Sequence, residues 1–169
     1  MVPDPYRITV VCLGNICRSP MGEAVLRQRV LEAGLAGRVS IDSAGTGDWH
    51  IGHQADHRAR STLAAHGYPY DHRARQIDGD WLARTDLVLA MDRANYADLA
   101  AMIARAGIAP ELRMMRSFDP DLAGLEETAP DLDVPDPYYG QPTDFVDVLR
   151  MIEQAADGLV DSLPERLTF

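Results

Sequence analysis

"CLGNICRSP" occupies residues 12–20, directly after the apolar run "ITVV" at 8–11. The run is β-branched and soon meets Gly14, so "YRITVVCL" (6–13) is expected to be a buried parallel strand. From Ser19 the period changes to that of a helix. Pro20 suits the first turn, Glu23 the positive end of the helix dipole, and Val25, Leu26, Val30 and Ala33 form one apolar stripe before Gly34. Cys12 therefore stands at a strand-to-helix junction, where loop N–H groups converge and the dipole adds about half a positive charge. In that field a thiol is expected to fall from ~8.5 into the range of roughly 3.5 to 7.5, leaving a thiolate at neutral pH. Arg18, in C-x-x-x-x-x-R spacing, can curl back to hold two oxygens of a tetrahedral dianion over the sulfur. Ser19 can donate its hydroxyl to the thiolate. Gly14 and Asn15 both tolerate positive φ, and the Asn15 side chain can tie the loop together. These parts describe covalent phosphoryl transfer to sulfur.

Outward from the loop, strands and helices alternate. Further strands are expected at "RVSIDSAGT" (38–46), "DLVLAM" (86–91) and "ELRMM" (111–115). Helices are expected near 56–67, 78–85, 92–107 and 143–163. The class is α/β: one domain over residues 1–169, three layers, with a four-stranded parallel sheet and a phosphate-binding loop after the first strand. Ligands in such sheets bind beyond the carboxyl ends of the strands, where the quoted loop lies. The acidic stretch "DPDLAGLEETAPDLDVPDP" (119–137) is long for a loop and reads as a lid.

Composition narrows the function classes. The formal net charge is -10 and all 16 basic residues are arginines, which argues against a general nucleic-acid binder and excludes a lysine-dependent nucleotide loop. The N-terminus lacks the pattern of a signal peptide and no stretch approaches ~20 apolar residues, so a cytoplasmic location without membrane contact is expected. The two cysteines, Cys12 and Cys17, are too few for a disulfide framework. Cys17 either packs or pairs reversibly with Cys12 to shield it from over-oxidation. The histidines at 50, 53, 57 and 66 show no metal-ligand spacing with cysteine and are expected to be surface or packing residues.

"VCLGNICRSPM" resembles the phosphate loop of the low-molecular-weight protein tyrosine phosphatases. The resemblance continues through "DSAGT", "DWHIG", "DHRARQI", "LAMD", "RSFDP" and "VPDPYYG", along nearly the whole chain. It implies a phosphatase with no metal or other cofactor that cleaves phosphotyrosine through a phosphocysteine. Its partners would be phosphotyrosine-containing proteins, and the chain a monomer or weak dimer. By resemblance Cys12 is the nucleophile, Arg18 binds phosphate, Ser19 tunes the thiolate, and Asn15, Ser43 and His72 hold the loop. Leu13, Gly14, Asn15, Ile16 and Cys17 would surround the substrate. Asp136, between Pro135 and Pro137, is the implied general acid, needed because a phenolate leaving group has a conjugate-acid pKa of ~10. The phosphate dianion and Asp133 are expected to raise its pKa. Trp49, Tyr138 and Tyr139 match wall positions that stack on an aromatic substrate.

Ile16 separates this reading from relatives that act on phosphoarginine, which carry threonine there. A thioredoxin-linked arsenate reductase would need cysteines beyond Cys17, and none exists. A non-catalytic anion or redox sensor would need neither Asp136 nor the rings. Two departures stand out. Gln54 and His57 replace prolines common in relatives, which is expected to loosen the Trp49 loop. The acidic insertion over 121–133 is expected to disfavour acidic phosphopeptides through Glu126 and Glu127.

Overall fold

The computed structural model describes residues 3–68 and 70–167. Its four strands, β1 (Tyr6–Cys12), β2 (Val39–Gly45), β3 (Leu87–Ala90) and β4 (Glu111–Met114), run parallel in the order β2-β1-β3-β4. β1 lies inside the sheet with both backbone edges paired, against Val39–Gly45 on one side and Leu87–Ala90 on the other. Alternation then assigns its side chains to two layers. Ile8, Val10 and Cys12 face a core built with α1 (Arg18–Glu32), α2 (His57–Ala65) and α5 (Pro142–Arg166). Val11 faces a second core with α3 (Gly79–Ala83) and α4 (Arg93–Ala106).

The expected elements are all present, with ends shifted by a few residues. α5 begins one residue early because Pro142 takes its first position, and the Gln141 N–H donates to Asp144 Oδ2 at 2.7 Å. It also runs past Pro164 to Arg166, since a proline in the last turn removes little of the ladder. In α1, Val25, Leu26 and Val30 are buried, but Ala33 is the exposed C-cap and leaves the stripe.

The acidic stretch is no free lid. Two short 3₁₀ turns, Pro120–Leu122 and Pro130–Leu132, fold it back against the Met115–Phe118 turn that follows β4, and Leu132 and Val134 are fully buried. Glu127 accepts from Arg113 Nε at 2.6 Å and from the Met114 N–H at 2.8 Å, so it is a strut, unavailable for screening peptides. Among the described residues no helix is long and apolar enough to cross a membrane.

Candidate active site

β1 delivers Cys12 to the carboxyl edge of the sheet, and residues 13–17 curl from there into α1. Asn15 alone among described non-glycine residues has positive φ, at 56°. Gly14 was expected to share that conformation and does not. Glycine there instead leaves room for His50, since a Cβ would stand 3.1 Å from its Cδ2 and the ring would have to shift by a few tenths of an ångström. Gly45 matters more: a Cβ there would lie 2.6 Å from the Leu13 carbonyl oxygen and 3.1 Å from the Asn15 nitrogen. The loop thus rests on bare backbone at the end of β2.

The loop's carbonyls are tied from outside it. Cys12 accepts from the Thr46 N–H (3.0 Å), Leu13 from Gly47 (2.9 Å), Ile16 from Asp56 (2.8 Å) and Asn15 from His72 Nε2 (2.7 Å). Burial pushes the His72 imidazole down, and with a carbonyl as acceptor its Nε2 must carry the proton. With the carbonyls turned out, the N–H groups of residues 13–17 have no acceptor among the described residues. Cys17, the N-cap of α1, supplies no side-chain cap either. Such a cluster of free N–H groups at a helix N-terminus is an anion site.

Hydrogen-bond polarity around Cys12 follows from one backbone donor. The Arg75 N–H donates to Asn15 Oδ1 at 2.8 Å, which fixes the amide and leaves Nδ2 to donate to Ser43 Oγ (3.0 Å) and Ser19 Oγ (2.8 Å). Ser43 Oγ donates its own hydrogen bond to Glu23 Oε1 at 2.6 Å. Ser19 retains a free proton, and Cys12 Sγ, 3.0 Å away, is closer than its other acceptor, the Ala44 carbonyl at 3.4 Å. Glu23 is therefore no dipole partner. It is fully buried, 2.6 Å from Arg27, and anchors the far end of this chain.

Arg18 is 2 % exposed. Its Nη1 donates to Asp92 Oδ2 (2.6 Å) and the Val134 carbonyl (2.9 Å), and its Nη2 lies 3.5 Å from Asp136 Oδ2. Burial pushes its pKa down, but Cys12, Asp92 and Asp136 outweigh that and hold it above the ordinary value. Asp136 Oδ1 accepts the Tyr138 N–H at 3.1 Å, so its other oxygen is the one turned to Arg18. Asp133 does not face it as expected. Asp133 pairs with Arg93 at 3.0 Å and caps that residue's N–H, which compensates its charge.

A cleft of about 380 Å³ rises over Cys12, walled by Leu13, Gly14, Ile16, Cys17, Arg18, Trp49, His50, Asp136, Tyr138 and Tyr139. The sequence-predicted residues meet here, with Asn15, Ser19, Ser43 and His72 behind the loop. Both cysteines are free thiols, and burial, then Asp56 and Cys12, push the Cys17 thiol up, keeping it protonated. Trp49 is 66 % exposed and Tyr139 94 %. The Trp49 ring leans on Gly47, where a Cβ would lie 1.9 Å from it. Backbone bonds from the Gly52 N–H to the Ala74 carbonyl and from the Ala74 N–H to the His53 carbonyl tie the loop that carries it.

Three participants were not assigned from the sequence. His50 lines the cleft, 6.3 Å from the Tyr138 ring, although it was expected to be a surface or packing residue. Asp92, inside "LAMD", serves twice, as N-cap of α4 and as the clamp on Arg18. Arg58 donates to the carbonyls of Tyr138 (2.7 Å) and Gly140 (3.2 Å) while its guanidinium lies over Phe145 at 4.6 Å. An Asp before a helix signals a cap, but nothing local reveals a partner 74 residues away.

The chain matches, over residues 7–168, the family model described as low molecular weight phosphotyrosine protein phosphatase. It is 49% identical over 165 residues to low molecular weight protein-tyrosine phosphatase A of Mycobacterium tuberculosis, covering 97% of this chain and 95% of that one. A low molecular weight protein-tyrosine-phosphatase of Streptomyces coelicolor is 48% identical over 162 residues, 96% of either chain. Among solved structures, a protein tyrosine phosphatase of Entamoeba histolytica superposes with a TM-score of 0.82 at 33% identity, covering 95% of this chain and 98% of that one.

Proposed function

From the premise that the chain belongs to the low molecular weight protein-tyrosine-phosphatase family, we propose how its own residues divide the work on phosphoprotein substrates. The phosphate of a phosphotyrosine enters the N–H cluster of residues 13–17, and Arg18 grips two of its oxygens. The Cys12 thiolate attacks phosphorus in line with the leaving group. An S–P bond forms, the P–O bond to tyrosine breaks, and Asp136 delivers a proton to the departing phenolate oxygen. Water then attacks the phosphocysteine while Asp136 takes its proton back. The S–P bond breaks, inorganic phosphate leaves, and Ser19 donates its free hydroxyl to the thiolate that re-forms. Ile16, Trp49, Tyr138 and Tyr139 make the cleft deep and ring-lined, which suits an aromatic phosphate ester.

The observation that carries this reading is the set of unpaired loop N–H groups around Cys12 with Arg18 and Asp136 on one rim. Its test is phosphate release from a phosphotyrosine peptide, with phosphoserine and phosphoarginine peptides beside it, for wild type, Cys12→Ser and Asp136→Ala. Turnover selective for phosphotyrosine should vanish in Cys12→Ser and drop by about 10² to 10⁴ in Asp136→Ala. Preference for phosphoarginine, or an Asp136→Ala enzyme as fast as wild type, would overturn the assignment.

A further inference from the structure

Leu13 and Trp49 are walls of the catalytic cleft, and each is also a wall of a second depression, of about 310 Å³, on the far side. The opposite wall of that depression is one stripe of α4. Asp98, Ala101, Met102 and Arg105 follow each other at i, i+3, i+4 and i+7 and so share a helix face. Met102 packs partly against the sheet core, giving the stripe an apolar middle, while Asp98 and Arg105 lie exposed towards its two ends. Neither makes an ion pair or hydrogen bond with a described residue. With Leu13 42 % and Trp49 66 % exposed, this half-apolar trough is continuous with the phosphotyrosine site.

We propose that the trough between Trp49, Leu13 and α4 is a specificity subsite for the substrate chain flanking the phosphotyrosine, where it receives one apolar side chain. The proposal rests on the phosphatase reading of the cleft. A substrate chain whose phosphotyrosine fills the cleft must leave across one of its rims. On the Leu13–Trp49 rim it meets the trough, and an extended chain advancing ~3.3 to 3.6 Å per residue brings a side chain roughly two to four residues away into it. Met102, Leu13 and Trp49 then cover that side chain. Opposite charges at the two ends make the trough neutral as a whole, so an apolar occupant fits it better than an acidic one.

The test walks a single leucine, and in parallel a single glutamate, through positions −4 to +4 of an alanine- and serine-based phosphotyrosine peptide. The readout is kcat/KM with para-nitrophenyl phosphate as control. Leucine at one flanking position should raise kcat/KM about tenfold over alanine, and glutamate there should not. Ala101→Trp, which fills the trough from an exposed position, and Met102→Asp, which charges it, should each erase that gain while leaving para-nitrophenyl phosphate turnover within about twofold of wild type. The subsite is refuted if no position gains, if the gain survives both variants, or if both variants slow the small ester as much as the peptide. A wild-type protein that cleaves neither ester nor peptide would instead refute the phosphatase reading, and the subsite with it.

Discussion

The loop at residues 12–19 and the segment at 134–140 hold the groups of the proposed mechanism by opposite means. In the loop Cys12, Asn15, Arg18 and Ser19 are each at most 3 % exposed, and the Asn15 and Ser19 side chains bond only to buried or backbone neighbours. Asp136 and Tyr139 are exposed; the segment that carries them is held by one turn of its own, Tyr138 N–H to Asp136, and by arginines of other elements, Arg18 on α1 to Asp136 and Arg58 on α2 to the Tyr138 and Gly140 carbonyls. The difference matches the chemistry. A nucleophile and an anion site are effective only when preorganised, since dipoles that must turn during the reaction lose their advantage. In the proposed mechanism the acid and rings admit and release a protein-bound substrate, which suits their place at the edge of the fold.

Asn15→Ala attacks the rigid half at its centre. It removes three side-chain hydrogen bonds and leaves φ at 56° for a residue that disfavours it. We expect about 3 kcal/mol less stability by urea denaturation and about 10²-fold lower kcat/KM, the size of a slight misplacement of a reacting group. Asn15→Gly permits the backbone angle and should recover about 1 kcal/mol of the stability but none of the rate. Full activity in either variant would show that the loop does not need its internal ties.

Arg58→Ala attacks the exposed half. Loss of the bonds to Tyr138 and Gly140 should raise KM for a phosphotyrosine peptide about fivefold, equivalent to about 1 kcal/mol, with kcat for para-nitrophenyl phosphate nearly unchanged. A fall in kcat without change in KM would mean that Arg58 positions Asp136 rather than the rings.

Acid should produce the smallest effect. Burial pushes Asp56 up, but hydrogen bonds from Arg58 outweigh it and leave its pKa below the ordinary carboxylate value; Arg166 does the same for Glu111. Both groups carry stability that is complete above pH ~5, beyond their unfolded-state values, and lost as pH falls through their lower folded-state values. Being partly exposed, each should contribute about 1 kcal/mol or less, read as a modest drop in Tm between pH 5 and pH 3. In Arg58→Ala the Asp56 share of that drop should shrink, since the backbone N–H groups of Arg58 and Ala59 still hold the carboxylate.

The comparison also explains what could be read in advance. A strand, five loop residues and a helix N-terminus form one local unit, so residue types and spacing were enough to bring Cys12, Arg18 and Ser19 together and to expect the positive φ of Asn15. Gly14 misled because glycine is required either for backbone angle or for space, and its sequence context does not say which; here His50 occupies the space. Glu23 misled because a carboxylate near a helix N-terminus is usually a dipole partner, whereas this one is buried under Ser43 and Arg27.

By itself, the sequence determined the alternating architecture and the makeup of the first loop as an anion-binding turn, because hydrophobic period and short-range spacing act within one or two elements. Only the tertiary structure decided that Asp92 clamps Arg18, that Asp133 turns to Arg93 and away from Asp136, that Arg58 holds the aromatic wall, and that Trp49 divides two troughs. Those contacts join residues 40 to 82 positions apart, or depend on which helix face meets which loop. Their geometry exists only once the sheet order β2-β1-β3-β4 has brought the carboxyl ends of the strands together.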